Sequence, residues 1–193
     1  MTLQSTFKKQ FSCEFSAPKS EEAGAKLLSA HDPLAALGPA YFSVTYGAGG
    51  STKDGTKQAV IDIRAKGSDV APHLSFGGDS ADKIEALLSE YKNANVTRVV
   101  ALRGDMPSGM GGSVRLTYAN ELVDFIREKT GDHFHIEVAA YPEVHPDSRS
   151  VESDLNFFKA KVDAGANSAI TQYFYNPAAY FNFIDACERS EER

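Results

Sequence analysis

Short apolar segments recur along the chain at intervals of about 30 residues, and segments with helical periodicity separate them. This interval is the length of a βα unit, so the pattern predicts strands that lie parallel in one sheet. The predicted strands are residues 11–16, 41–46, 71–76, 98–103, 135–141 and 168–174. Helices are predicted at about 20–30, 52–66 and 117–129, after the cap residue Ser80, from Leu155 to Val162, and after Asn176.

The predicted strands carry polar residues on one of their two faces. Alternation places Cys13 and Phe15 on one face of the first strand and Glu14 on the other. The later polar faces comprise Ser43 and Thr45, His73 and Ser75, His135, Glu137 and Tyr141, and finally Gln172. A parallel strand that is covered on both sides should be apolar on both. The recurring polar face therefore favours an α/β barrel, with its active site at the carboxyl ends of the strands, over a flat doubly wound sheet.

The length of the chain bears on how much of such a barrel is present. Six βα units occupy all 193 residues, whereas a closed barrel of eight units takes about 250. We therefore expect an α/β fold of the TIM (β/α)8 type with only about six βα units. Residues 1–193 would form a single barrel catalytic domain that stops after the sixth unit.

Composition excludes several classes of partner. The net charge is −6 and no cluster of Lys and Arg stands out, so we expect neither nucleic acid nor a membrane surface as a partner. The sequence contains no apolar run of about 18 residues and no secretory signal at its start. We expect a cytoplasmic protein in which Cys13 and Cys187 are reduced. The histidines are scattered without zinc-like spacing, so no metal is predicted.

Glu14 is the strongest candidate for chemistry, because it is a carboxylate in mid-strand between Cys13 and Phe15. A low-dielectric environment would favour its protonated form and suit it to general acid catalysis. A carboxylate paired with a lysine or arginine inside the barrel is the alternative.

Loops after later strands give weaker candidates. Residues 45–52 form a glycine-rich turn that either presents backbone N–H groups to a phosphate or is simply a capped βα turn. Arg103 and Asp105 end the fourth strand as ligand contacts or as a surface ion pair. No Ser-His-Asp arrangement can be inferred, since the G-x-S-x-G motif is absent.

Taken together and in order, these segments resemble one family. The segments are FSCEFSAPK at 11–19, SVTYGAGGST at 43–52, APHL at 71–74, VALRGD at 100–105, AAYPEVHP at 139–146, KVDAGAN at 161–167 and AITQYF at 169–174. They are similar to the methylenetetrahydrofolate reductases of the bacterial type, from about residue 8 to the end of the chain.

The resemblance implies a (β/α)8 barrel that binds FAD. Members of the family pass hydride from NADH or NADPH through FAD to 5,10-methylenetetrahydrofolate, and 5-methyltetrahydrofolate is formed. The two substrates use one site in turn, in a ping-pong cycle. Bacterial members are homo-oligomers, typically tetramers.

The resemblance also implies roles for single residues. Glu14 matches the general acid that protonates N10 of the folate, and Asp105 matches the aspartate between flavin and pterin. Gln172 matches a residue that hydrogen-bonds the pterin. The positions that match FAD contacts are Thr45, His73, Arg103, Gly104, Asp105, Tyr118, Ala119, Tyr141, His145, Asp154 and Lys161. Of these, Arg103 and Lys161 are the expected partners of the diphosphate.

The chain departs from the family at two points. Near Asp154, bacterial members carry Asn and Arg where this chain has Phe157 and Ala160, so the diphosphate and ribose would be held differently. The seventh and eighth strands, which carry further folate and nicotinamide contacts, do not follow the sixth. A non-catalytic homologue that acts as a partner or regulatory subunit is therefore an alternative. A barrel enzyme with another small-molecule substrate is a third hypothesis.

Overall fold

Strands and helices alternate in the computed structural model through the residues that it describes, which are 9–46, 53–76, 79–103 and 118–191. The elements in chain order are β1 (Cys13–Phe15), α1 (Glu21–Ala35), β2 (Phe42–Val44), α2 (Lys53–Ala65), β3 (Val70–Leu74), α3 (Ala81–Asn93), β4 (Arg98–Ala101), α4 (Ala119–Thr130), β5 (His135–Ala140), α5 (Val151–Asp163), β6 (Ser168–Thr171) and α6 (Pro177–Glu191). The alternation predicted from the sequence is confirmed.

The strands form one parallel sheet in which each strand pairs with the next along the chain, in the order β1-β2-β3-β4-β5-β6. Glu14 lies beside Ser43 in the register of β1 and β2, and Val100 lies beside Glu137 in that of β4 and β5. Within the described ranges β1 and β6 do not pair with each other, so the six strands form an open part of a barrel. The predicted α/β fold with about six βα units is confirmed.

The strands are shorter than predicted, because regular pairing stops where the carboxyl ends turn into loops. Single backbone bonds continue past the strand ends: Thr45 N donates to Phe15 O over 3.0 Å, and Gln172 N donates to Ala140 O over 2.7 Å. The first helix is longer than predicted, since it continues through Pro33 to Ala35. A proline in the last turn removes only one helical hydrogen bond there.

The main hydrophobic core lies between the outer faces of the strands and the helices. Phe42, Val44 and Leu74 are at most 1% exposed on the outer faces of β2 and β3. Val60 of α2 and Leu122 of α4 pack into the same core and are fully buried. Burial of such side chains is worth about 1.5–3 kcal/mol each, which is why the outward residues of the strands are apolar.

The last two helices are less buried than their apolar patterns predict. The predicted inward residues of α5 are Leu155, Phe158 and Val162, yet none of its residues is fully buried. Phe158 contacts Phe183 of α6 at 5.2 Å between ring centroids. These helices pack at the end of the sheet, where β6 has a strand neighbour on only one side within the described residues.

A buried ion pair joins the inner faces of β4 and β5 near their amino ends. Glu137 is 4% exposed, and its carboxylate accepts hydrogen bonds from Arg98 Nη1 at 2.6 Å and from Tyr41 Oη at 2.8 Å. The guanidinium of Arg98 also lies 4.6 Å from the ring centroid of Tyr41. Burial and the adjacent Glu137 carboxylate raise the pKa of the Tyr41 hydroxyl, so that hydroxyl remains a donor at neutral pH.

The structure does assemble a Ser-His-Asp row, which the sequence motifs did not indicate. His31 of α1 lies 2.9 Å from Ser68 Oγ through Nε2 and 3.1 Å from Asp32 Oδ1 through Nδ1. Lys66 donates to both carboxylate oxygens of Asp32, at 2.7 and 3.0 Å. The row lies where α1 ends and β3 begins, which is the amino-terminal side of the sheet, and barrel enzymes place their active sites on the opposite side. We therefore assign it to holding α1 against the start of β3.

Loss of Arg98 should be costly, because it leaves the buried Glu137 carboxylate without its cation. We expect Arg98→Met to lower the free energy of unfolding by about 3 kcal/mol, and Arg98→Met combined with Glu137→Gln to recover part of that loss. Urea denaturation at neutral pH measures both. A single variant as stable as the unsubstituted protein would show that the pair does not hold the inner face together.

Candidate functional site

The inner face of the sheet brings together polar residues from strands that are distant in sequence. In the register of the parallel strands, Glu14 is the partner of Ser43. Val100 is the partner of His73 on one side and of Glu137 on the other. Since alternate residues of neighbouring strands share a face, the side chains of Glu14, Ser43, His73 and Glu137 point to the same side. The polar face predicted from the alternation is present.

Glu14 has two neighbours on this face. Ser43 Oγ donates to Glu14 Oε2 over 3.3 Å, and His73 Nε2 lies 3.2 Å from the same oxygen. The Glu14 side chain is 57% exposed, so the expectation of a low-dielectric environment is wrong for this structure. Among the described residues β1 is an edge strand of the open sheet, with a paired neighbour on one side.

His73 is more buried than Glu14, with 14% of its side chain exposed. Burial lowers the pKa of its imidazole, and the carboxylates of Glu14 and Glu137 oppose that shift. The 3.2 Å approach to Glu14 has the length of a hydrogen bond but not its direction, so Nε2 has no aligned partner among the described residues. A neutral imidazole with an unfilled ring nitrogen therefore faces the inner side of the sheet beside Glu14.

A second group of predicted residues gathers around the loops after β4 and β5. Arg103 Nη1 lies 3.4 Å from Asp147 Oδ2, and the guanidinium lies 5.8 Å from the ring centroid of Tyr118. Tyr118 in turn stacks on Phe157, with 6.3 Å between centroids and 17° between planes. The Arg103 guanidinium and the exposed rings of Tyr118 and Phe157 therefore lie close together.

The loop after β5 holds two more predicted residues in fixed positions. The Tyr141 and His145 rings meet edge to face at 4.6 Å. His145 Nδ1 accepts the backbone N–H of Asp147 at 3.0 Å, so the proton of the neutral ring is on Nε2. Asp154 accepts the Ser148 hydroxyl at 2.8 Å and the His145 N–H at 3.4 Å, and so fastens the loop to α5.

Lys161 reaches from α5 to the carboxyl end of β5. Its Nζ donates to Ala139 O over 2.5 Å and lies 5.5 Å from the Phe158 ring centroid. Burial lowers the pKa of this ammonium group, and Asp154 opposes the shift. An ammonium has three N–H donors, so the bond to Ala139 leaves donors for an anion.

The remaining predicted residues are less closely grouped. Thr45 accepts the Ala17 N–H on its hydroxyl at 3.1 Å, and Ala119 is the first residue of α4. Gln172 is exposed, and its Oε1 accepts the N–H of Tyr173 at 2.8 Å. Gly104, Asp105 and residues 47–52 of the glycine-rich turn lie outside the described residues.

Sequence reasoning placed Ser43 on the polar face but gave it no role. Its contact with Glu14 follows from the register between β1 and β2. That register cannot be predicted from the alternation of polar and apolar residues within one strand. Asp147 and Phe157 were not assigned roles either, although they contact Arg103 and Tyr118. Each contact depends on how a loop or helix folds back over the strand ends.

The described ranges contain neither a metal-binding cluster nor a membrane-spanning helix. No group of three or more His, Cys, Asp or Glu there is arranged to hold a metal ion. No helix there is both long and apolar enough to cross a membrane.

The described residues on this side of the sheet include groups that can contact an anion or an aromatic ring. Arg103 and Lys161 supply cationic donors of the kind that bind a diphosphate. Tyr118 and Phe157 supply an exposed aromatic surface, and His73 presents a buried ring nitrogen that has no aligned partner in the described ranges. These residues lie on the carboxyl-end side of the sheet, where barrel enzymes bind their ligands.

Comparison with known sequences gives one consistent result. The profile described as "Methylenetetrahydrofolate reductase" matches residues 2–191. The 5,10-methylenetetrahydrofolate reductase of Escherichia coli (strain K12) is 41% identical over 177 residues, which cover 91% of this chain and 58% of that protein. Methylenetetrahydrofolate reductase (NADH) 1 of Arabidopsis thaliana is 36% identical and covers 93% of this chain and 33% of its own length. The chain therefore spans less than two thirds of these relatives.

Comparison with solved structures shows the fold alone. A 2,3-dimethylmalate lyase of the PEP mutase/isocitrate lyase superfamily superposes with a TM-score of 0.62 at 13% identity, over 91% of this chain and 63% of that chain. A phosphonopyruvate hydrolase bound to oxalate and Mg²⁺ gives 0.59 at 11% identity, over 92% of this chain and 64% of that chain.

The lowered pKa of His73 predicts a pH dependence of stability. The unfolded chain binds a proton near the ordinary value of 6.5, whereas the folded chain binds it only at lower pH. The free energy of unfolding therefore keeps the full contribution of the neutral imidazole above pH 6.5, and this contribution is lost as the pH falls toward the pKa of His73 in the folded chain. We expect His73→Gln to flatten this loss, measured by urea denaturation at a series of pH values. An unchanged pH dependence would contradict the burial of a neutral imidazole.

Proposed function

The chain belongs to the methylenetetrahydrofolate reductase family, and from this premise we propose that it is part of an enzyme that reduces 5,10-methylenetetrahydrofolate to 5-methyltetrahydrofolate. FAD is the proposed cofactor, and NADH or NADPH is the proposed hydride source, used in alternation with the folate at one site. In this proposal residues 1–193 belong to a single catalytic barrel domain. The observation that carries the proposal is the placement of Glu14, beside Ser43 and His73, on the polar inner face.

Glu14 is the proposed general acid. Cleavage of the bond between the bridging methylene carbon and N10 leaves electrons on N10, and a proton from Glu14 would neutralise them. The exposed carboxyl of Glu14 faces the inner side of the sheet, so a ligand can approach it directly. Its two polar neighbours restrict the orientation of the carboxyl before the ligand arrives.

FAD, when bound, would supply the relay of hydride from nicotinamide to folate. Arg103 and Lys161 are the proposed donors to its diphosphate, and Thr45, His73, Tyr141 and His145 are further residues of its proposed site. Ala119, Asp154 and Tyr118 are assigned to the same site by resemblance, as are Gly104 and Asp105, which lie outside the described residues.

Gln172 is the proposed partner of the folate pterin, and Asp105 is proposed to lie between pterin and flavin. The Gln172 amide accepts only the N–H of Tyr173 through Oε1, and its amino group points to no partner among the described residues. A side-chain amide can donate to and accept from the edge of a pterin ring.

The open sheet favours an alternative function, in which the chain binds a partner subunit and does not catalyse. Among the described residues β1 and β6 each have one strand neighbour, and an unpaired strand edge is a surface on which further strands can pair. A purified protein that is colourless and takes up no added FAD would favour this alternative over the enzyme.

Glu14→Gln separates the two half-reactions. Glutamine cannot donate the proton but is close to glutamate in size, so we expect reduction of the flavin by NADH to continue while folate reduction falls by at least about a hundredfold. Anaerobic stopped-flow absorbance at the flavin band measures each step. Loss of both steps together would show that Glu14 is structural.

Lys161→Met tests the proposed diphosphate contact. Removing a charge-assisted hydrogen bond should weaken FAD binding by about tenfold or more, measured by quenching of flavin fluorescence. Lys159→Met is the matched control, because Lys159 lies on the same helix and pairs with Asp163 at 2.8 Å. Equal affinities of the two variants for FAD would exclude Lys161 from the site.

A further inference from the structure

The two oxygens of the Glu14 carboxyl have different surroundings. Ser43 Oγ and His73 Nε2 both approach Oε2, at 3.3 and 3.2 Å. Among the described residues Oε1 has no hydrogen-bond partner. Ser43 is 6% exposed and His73 is 14% exposed at its side chain, whereas the side chain of Glu14 is 57% exposed. The carboxyl is therefore held from its buried side and open on the other.

We propose that Ser43 and His73 are positioning residues for Glu14, which hold Oε2 and leave Oε1 as the oxygen that carries the transferable proton. The inference rests on the proposed function, because it assigns this proton to N10 of the folate. The family resemblance implies a general acid at Glu14, but it gives no role to Ser43 and does not say which oxygen of Glu14 carries the proton.

The contacts are compatible with both protonation states of Glu14. When Oε1 carries the proton, Oε2 is a carbonyl oxygen that accepts from the Ser43 hydroxyl and stays in contact with His73 Nε2. In the transfer step the O–H bond at Oε1 breaks and an N–H bond forms at N10, while the bond from N10 to the methylene carbon breaks and the lone pair of N5 forms an iminium with that carbon. The carboxylate that remains still accepts at Oε2 and later takes a proton from water. The orientation of the carboxyl is thus kept throughout the step.

Burial keeps the imidazole beside Glu14 neutral, against the effect of the carboxylates that face it. Glu14 on β1 and Glu137 on β5 are the carboxylates that act on His73, and Glu137 is paired with Arg98 of β4 at 2.6 Å. Burial lowers the pKa of His73, so its imidazole is neutral at pH 7. A neutral imidazole orients the carboxyl without replacing its proton by an ion pair.

Ser43→Ala is the kinetic test, because His73 also belongs to the proposed flavin site. In stopped-flow measurements with the full protein, we expect the folate step to slow by about tenfold and flavin reduction by NADH to change less than about twofold. Ser43→Thr, which keeps the hydroxyl, should restore most of the rate.

Nuclear magnetic resonance gives a test that needs no cofactor. The Glu14 carboxyl carbon, labelled with ¹³C and identified by its loss in Glu14→Gln, should shift in Ser43→Ala and in His73→Gln. Ser75→Ala is the matched control: Ser75 lies on the same inner face, is also 6% exposed and makes no described contact with Glu14. Its substitution should leave the signal in place.

The outcomes separate this inference from the proposed function. If Ser43→Ala reduces folate at the unsubstituted rate, or slows both half-reactions equally, the positioning role is wrong while the enzyme remains. If the Glu14 signal does not move in Ser43→Ala, the contact is absent in solution and the inference fails. If the unsubstituted protein reduces flavin but not folate, both the function and the inference are overturned.

Discussion

The parallel register of the six strands is the constraint on which the rest of the structure depends. It places Val44, Leu74 and Val138 outward, where burial against the helices stabilises the fold. The same register places Glu14 beside Ser43, and Val100 between His73 and Glu137, on the inner side. A shift of one residue in any strand would exchange the two faces, and would remove both the core and the polar face from that strand.

The inner face is polar at both ends of the strands, but the two ends differ in how their polar groups are satisfied. Near the amino ends, the Glu137 carboxylate accepts hydrogen bonds from Arg98 and Tyr41, so all three polar groups are paired. Towards the carboxyl ends, neither His73 Nε2 nor Oε1 of Glu14 has a hydrogen-bond partner among the described residues. Satisfied groups stabilise a fold, whereas buried groups without partners are characteristic of a binding site.

Much of this could be predicted from the sequence, because alternation and spacing are local properties. The strand order, the outward core and the inward placement of Glu14 and His73 all follow from them. The exposure of Glu14 could not be predicted, since it depends on what lies beyond the edge strand β1. The contact with Ser43 needed the register between strands, and the row through His31 joins α1 to the residues before β3. No local pattern contains contacts of that kind.

The central claim is that Glu14 donates a proton to folate from a carboxyl held by Ser43 and His73. A crystal structure of the whole protein with FAD and a non-reactive folate analogue tests it most directly. The account predicts that Glu14 Oε1 lies within hydrogen-bond distance of N10, while Oε2 keeps its contacts with Ser43 and His73. A folate bound away from the carboxyl ends of the strands, or one that faces Glu14 only through Oε2, would contradict it.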